Sequence, residues 1–141
     1  MSNVVKANII RFIHYLLVIF VVLAPFANHA PILIIHVSLC ICLLTHWWSN
    51  SDVCSLSVFE AKLRGIEYTK TFMHSIVNGV YNIDDSTISY LCKAGTISLM
   101  FVSIYYLYKS GIFGKCNKMW KDSKGDFSKK VKDMSICLFS Y

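Results

Sequence analysis

The chain has 141 residues, room for one domain rather than two, with 55% hydrophobic residues, a mean hydropathy of +0.52 and a formal net charge of +6. Its apolar residues gather into long runs instead of recurring with the period of a surface helix, which excludes an ordinary soluble fold and points to a bilayer. No N-x-S/T sequon, Gly-rich phosphate loop, C-x-x-C pair, H-E-x-x-H or G-x-S-x-G motif occurs, so the sequence offers no ready enzyme signature.

The first apolar run, residues 7–26 (ANIIRFIHYLLVIFVVLAPF), has the ~20 residues a spanning helix needs. Arg11 is expected to snorkel to the near interface. A signal peptide cleaved after Ala30 is the alternative, disfavoured by Pro31 and by the apolar run that starts there. ANHA then makes a tight hairpin into a second span, residues 31–48, whose Trp47 and Trp48 suit the headgroup level.

Residues 49–86 are polar, with three Lys/Arg against five Asp/Glu. Ser57 and Glu60 have the S-x-x-E spacing of a capping box. Phe59, Leu63, Ile66, Met73, Val77 and Val80 recur at fours and threes, interrupted by Lys70, and predict an amphipathic helix over 58–81. This helix either lies on the membrane or joins the bundle as a fourth member. One position later runs a polar stripe: Glu60, Arg64, Glu67, Thr71, His74, Asn78 and Tyr81. Facing water, it would be a solvated face with i,i+4 ion pairs. Facing the spans, it would meet His14 and His36, ionisable groups at a depth where such groups need a partner or a cavity.

Asp84, Asp85 and Ser86 mark a break before the third span, residues 87–108, which ends in the aromatic belt of Tyr105, Tyr106 and Tyr108. Lys93 is near enough to its end to snorkel. Residues 109–141 form a tail with eight lysines against three aspartates. Lys115, Lys118, Lys121, Lys124, Lys129, Lys130 and Lys132 would meet anionic headgroups, each contributing on the order of 1 kcal/mol. Phe127, Val131, Met134 and Leu138 repeat at four, three and four and predict a short amphipathic helix. The positive-inside rule puts this tail in the cytoplasm, or on the inner side of a virion membrane. Cys40, Cys42 and Cys92 fall inside apolar runs, where thiols act as small hydrophobes, and most pairings with Cys116 or Cys137 would cross the membrane. The cysteines are therefore expected to be mostly reduced, with Cys54 left open.

The stretch CSLSVFEAKLRG resembles the C-P-L-T-x-x-E-x-x-L-R segment of a bacterial family of small helical membrane proteins of unknown function, on Cys54, Leu56, Glu60, Leu63 and Arg64. The likeness extends over roughly residues 9–83, to His14 in the first helix, His36 in the second, and Phe72, His74 and Tyr81 later. Ser55 stands in place of the proline and Ser57 of the threonine, and the proline-containing turn near Tyr81 is missing. The stretch is also similar to short membrane proteins of large DNA viruses, whose AT-rich genomes suit the Ile-, Lys-, Asn-, Ser- and Tyr-rich composition. The resemblance implies a membrane bundle and supplies no activity.

The expected architecture is an all-α integral membrane bundle: a helical membrane domain over 1–108, and the tail over 109–141. The first functional reading is a non-enzymatic structural, assembly or interaction component partnered by lipid, a capsid or membrane protein, or a second copy, with nucleic acid disfavoured. The second is a polar site of His14, His36, Glu60, Arg64, His74 and Tyr81 that binds haem, a metal or a quinone-like ligand, the metal candidates being His14, His36, His74 and Cys54. A small oligomeric channel is the third.

Overall fold

The computed structural model describes residues 2–68, 72–77, 84–122 and 126–139. Its described elements are all helical: α1 (Asn3–Leu23) with a 3-10 turn (Ala24–Phe26), α2 (Ala30–Ser49), α3 (Ser55–Arg64), α4 (Phe72–Val77), α5 (Asp85–Lys109), α6 (Ile112–Asp122) and α7 (Phe127–Phe139). Three helical segments, Asn3–Phe26, Ala30–Ser49 and Asp85–Lys109, are long and apolar enough to cross a membrane. They coincide with the three expected spans.

Local chemistry sets their ends. Ser2 caps α1 by accepting from the Val5 amide at 3.4 Å, and Asp84 caps α5 by accepting from the Thr87 amide at 2.9 Å. Pro31 occupies the first turn of α2, where its missing N–H costs nothing. Within the spans the usual burial pattern is inverted. Phe12, Leu16, Ile19, Leu23, Phe101 and Tyr105 point outward, while Cys40, Thr96 and Ser103 are buried. Small and polar residues inside, large apolar ones outside, is how helices pack when their surroundings are hydrocarbon.

α2 and α5 pair along their length, and the 3-10 turn holds the end of α1 against both. At that end Pro25 has no amide to give the Val21 carbonyl, leaving an orphan acceptor in the bundle. His36 fills the gap, its Nε2 donating to Val21 O at 3.0 Å. A carbonyl only accepts, so Nε2 carries the proton and Nδ1 accepts from the Ser103 hydroxyl at 2.9 Å. The fully buried His36 thereby ties α1, α2 and α5 together.

The 49–86 segment departs from expectation. The predicted helix over 58–81 is broken: α3 ends at Gly65, which takes the left-handed conformation (φ +67°). The Gly65 amide bonds Lys62 O and the Ile66 amide bonds Ala61 O, the paired closure of a Schellman stop, which a long apolar repeat does not reveal. At 10 residues α3 is about 15 Å long, half of a hydrocarbon core, so it does not cross as a fourth span. The expected Ser57–Glu60 capping box is also overturned. Cys54 holds the N-cap position and both residues lie inside the helix, with their side chains spent on tertiary contacts.

The described residues of the tail fold rather than trail. α7 covers the predicted amphipathic stretch, and α6 and α7 form a hairpin joined by a Cys116–Cys137 disulfide, correcting the expectation that these cysteines are reduced. Both lie in the same tail, so their pairing crosses no membrane. The bond closes a loop of 21 residues, worth about 3 kcal/mol by the chain-entropy model. The hairpin packs Ile112, Cys116, Cys137 and Met134 against Ala30, Leu33 and Leu107 at the Pro25 end of the bundle.

His36→Leu should lower stability in detergent by about 1–3 kcal/mol, since it strands a buried carbonyl and a hydroxyl. In a Pro25→Ala background residue 25 regains an amide for Val21, and the same substitution should cost measurably less. Equal costs in the two backgrounds would mean that the proline-freed carbonyl is not what His36 serves.

Candidate functional site

α3 runs antiparallel to α1, with Cys54, Glu60 and Arg64 against His14, Arg11 and Asn8 in turn. The polar stripe therefore faces inward for Glu60 and Arg64, and the apolar positions Phe59 and Ile66 face outward. Glu60 is 7% exposed, and its Oε1 accepts from Arg11 Nε and Nη2 at 2.7 Å and from Arg64 Nε at 2.9 Å. Arg64 continues through Nη2 to Asn8 Oδ1 at 2.8 Å. Because Arg11 is 45% exposed, this cluster is only part-buried and holds α3 to α1 by about 1–3 kcal/mol. Asn8, Arg11 and His14, spaced three apart on α1, share the face that α3 covers.

One turn deeper the contact changes from ionic to nucleophilic. His14 is 6% exposed, and its Nε2 is 3.2 Å from Cys54 Sγ. The Phe72 ring stacks on the imidazole at 4.4 Å, with an interplanar angle of 8°. The Phe72 amide in turn bonds Ser57 Oγ at 3.4 Å, so α4, α3 and α1 meet on this pair. His14 Nδ1 is buried and has no hydrogen-bond partner among the described residues. The Ser55 amide at the start of α3 donates to His46 Nε2 at 3.3 Å, a role for His46 that its place beside the tryptophans had not suggested. Asp52, with left-handed φ of +66° in the turn before α3, pairs with Lys93 at 2.8 Å. Lys93 thus has a partner and does not merely snorkel.

Burial pushes the Cys54 thiol up, but hydrogen bonding from His14 and Ser57 and the charge of His14 outweigh it and bring the thiol down from 9.0 to about 7. Its position at the start of α3 acts in the same direction. Tyr68 is pushed up by burial and then by the negative fields of Asp85 and Cys54, which keeps its hydroxyl protonated nearby.

Below the pair lies a cavity of about 380 Å³. It exists because α1 is held at one end by α3 and at the other by the 3-10 turn, and touches α2 and α5 only sparsely between. The walls are Leu17, Val18, Val21 and Val22 of α1, Leu43 and Trp47 of α2, and Ile88, Leu91 and Leu99 of α5, with Thr96 and Cys92 among them. His14 to Val22 is about 12 Å of helix and Ile88 to Leu99 about 16 Å, so the space is elongated. His14, Asp52, Cys54 and Ser57 gather at one end.

Of the residues singled out from sequence, His14, Cys54, Glu60 and Arg64 converge, joined by Asn8, Arg11, Ser57 and Phe72. His36 stands apart, both of its nitrogens committed within the bundle. The His74 side chain, Tyr81 and Lys124 lie outside the described residues, as do Lys70, Thr71, Asn78 and Val80. Among the described residues no three His, Cys, Asp or Glu side chains are placed to hold a metal ion, so the His14–His36–Cys54 part of the expected metal set is not assembled.

The depressed thiol carries a sign. Its contribution to stability is fully present above the ordinary value of 9.0 and is lost as pH falls through about 7. Alkylation of Cys54 by iodoacetamide should accordingly rise through a midpoint near pH 7, and His14→Gln should move that midpoint up. A wild-type midpoint in the ordinary thiol range would mean that the pair does not hold a thiolate. Compared with protein-family models, curated proteins and solved structures, the chain matches none.

Proposed function

We propose that this multi-pass membrane protein binds a lipid-like amphiphile, with an acyl chain in the cavity between α1, α2 and α5 and its polar end at His14 and Cys54. The observation that carries the reading is the cavity: about 380 Å³, elongated, mostly apolar-walled, with His14, Asp52, Cys54 and Ser57 gathered at one end. That volume falls within the ~300–1,000 Å³ of pockets that enclose small ligands, and such pockets pair apolar walls with a few placed polar groups. The surroundings support that occupant, since three helices long and apolar enough to cross a membrane would set the cavity among acyl chains. The quinone-like ligand considered from sequence has the same amphiphilic chemistry. Haem and metal find less support, with His36 committed to Val21 and Ser103. A purely structural or assembly role gives the cavity and its buried polar end nothing to do.

A second feature supports an interaction role at the opposite end of the bundle. Lys115, Lys118, Lys121, Lys129 and Lys132 are exposed on the α6–α7 hairpin, a surface suited to anionic headgroups. Their charge argues for a cytoplasmic hairpin, whereas a Cys116–Cys137 bond is of the kind that persists in oxidising compartments. We favour the cytoplasmic side. In sealed right-side-out vesicles, reduced Cys116 and Cys137 should then stay unlabelled by a membrane-impermeant maleimide until the membrane is opened; immediate labelling would reverse the orientation.

For the cavity, a nitroxide-labelled fatty acid titrated into the protein in nanodiscs should quench Trp47 saturably, with the quenching lost in Trp47→Phe. Leu99→Trp, which fills the cavity, should weaken binding by about tenfold or more, while Ile97→Trp on the outer face of α5 should not. Linear, unsaturable quenching that is the same in all variants would reduce the cavity to ordinary lipid contact.

A further inference from the structure

Cys54 differs from the other free cysteines in the groups around it. Cys40 is buried beside His36, and Cys42 is exposed on α2. Cys92 lines the cavity but hydrogen-bonds to no imidazole among the described residues. Cys54 alone combines a half-buried sulfur at the start of a 10-residue helix, an imidazole nitrogen at 3.2 Å, and a place at the polar end of an apolar cavity. A nucleophile and a base within hydrogen-bond reach, the base held in orientation by a third group, is the arrangement of covalent acyl catalysis. The orienting contact for His14 is the stacked Phe72 ring rather than a carboxylate. Among the described residues His14 is also the one buried side chain with an unpartnered ring nitrogen, and that residue lines the cavity.

An acyl chain lying along α1 from Val22 towards His14 would bring its carbonyl carbon to the end of the cavity where the Cys54 sulfur sits. We propose that Cys54 accepts a fatty acyl group from an acyl thioester by thioester exchange, with His14 as the proton carrier. This rests on the acyl-chain reading of the cavity and adds a chemistry to it. His14 Nε2 takes the thiol proton, and the Cys54 sulfur attacks the carbonyl carbon. A new C–S bond forms as the donor's C–S bond breaks, and the departing thiolate receives the proton from His14. One thioester is exchanged for another, so no oxidant, reductant or further co-reactant is needed. The positive end of α3 gives the site a field that favours the anionic sulfur.

The test uses full-length protein in nanodiscs with palmitoyl-coenzyme A carrying a terminal alkyne. Intact mass should show one acyl group per chain, removable by neutral hydroxylamine. The adduct should persist in Cys42→Ala and Cys92→Ala and vanish in Cys54→Ala. His14→Gln should slow acylation at pH 7 by at least tenfold and move its pH midpoint towards that of an ordinary thiol, a change that a merely structural histidine would not produce. Cys54→Ser keeps a polar N-cap and guards against a fold defect in Cys54→Ala. If Cys54→Ser binds the nitroxide fatty acid as the wild type does but carries no adduct, the proposal stands. Wild-type protein that binds the fatty acid but takes no acyl group, or takes it on another cysteine, overturns the acyl-transfer step and leaves the cavity reading intact. Failure to bind the fatty acid at all overturns both.

Discussion

Glu60 is the tie on which the site depends. Its buried carboxylate stands between a guanidinium of α1 and one of α3, at 2.7 and 2.9 Å, and so fixes the register of a short helix against a long one. A ten-residue helix has little of its own to hold it in place, since isolated helices of that length are marginal. Only in this register does Cys54 fall opposite His14. Replacing the carboxylate would leave two cations facing each other, and sliding α3 by one turn would leave the thiol against an aliphatic stretch of α1. The ionic cluster acts on the chemistry through position: Arg11 and Arg64 bond neither His14 nor Cys54, yet they decide that the two meet.

The cavity has a similar origin in constraints at a distance. α1 is clamped at its far end by a defect, the amide missing at Pro25, which His36 repairs by reaching across from α2. It is clamped at its near end by α3. Between these clamps the bulky faces of α1, Ile13, Leu16 and Ile19 among them, point outward, and its inner face offers only Leu17, Val18 and Val21 to a gap they do not close. Two polar devices at the ends of an apolar helix thus leave an apolar space between them. In water such a gap would be costly. In a bilayer, chains of the right chemistry surround it.

How far the sequence discloses this depends on the range of the interactions involved. The spans are legible because length and hydropathy are local properties, and 7–26, 31–48 and 87–108 each lie within a helix. The stripe of Glu60 and Arg64 is legible too, since its period persists over the first turns. Its continuation into one long helix was not, because a single left-handed glycine at 65 ends α3 without disturbing the repeat of Met73 and Val77 beyond it. The Ser57–Glu60 spacing matched a capping box, but tertiary partners, Phe72 for one and two arginines for the other, outcompeted the local cap. Arg11 near the end of an apolar run has a sufficient explanation in snorkelling, and only the position of α3 gives it another. Cys116 and Cys137 are 21 residues apart, and nothing local says that a tail folds back into a hairpin.

His14 and His36 show where composition stops being informative. Both are buried, both lie on spanning helices, and sequence treats them alike. His36 has a carbonyl on one nitrogen and a hydroxyl on the other, and both partners are needed where they are to close the bundle. A histidine wired in this way is finished: any ligand would have to displace a bond that the backbone requires. His14 has a thiol on one nitrogen and, among the described residues, no partner on the other. A buried polar atom without a partner is a cost that packing alone does not explain, and the nitrogen that faces the thiol has no bond that the backbone requires. The asymmetry between two equivalent-looking residues, rather than the presence of histidine at membrane depth, is what singles out the end of the cavity where His14 meets Cys54.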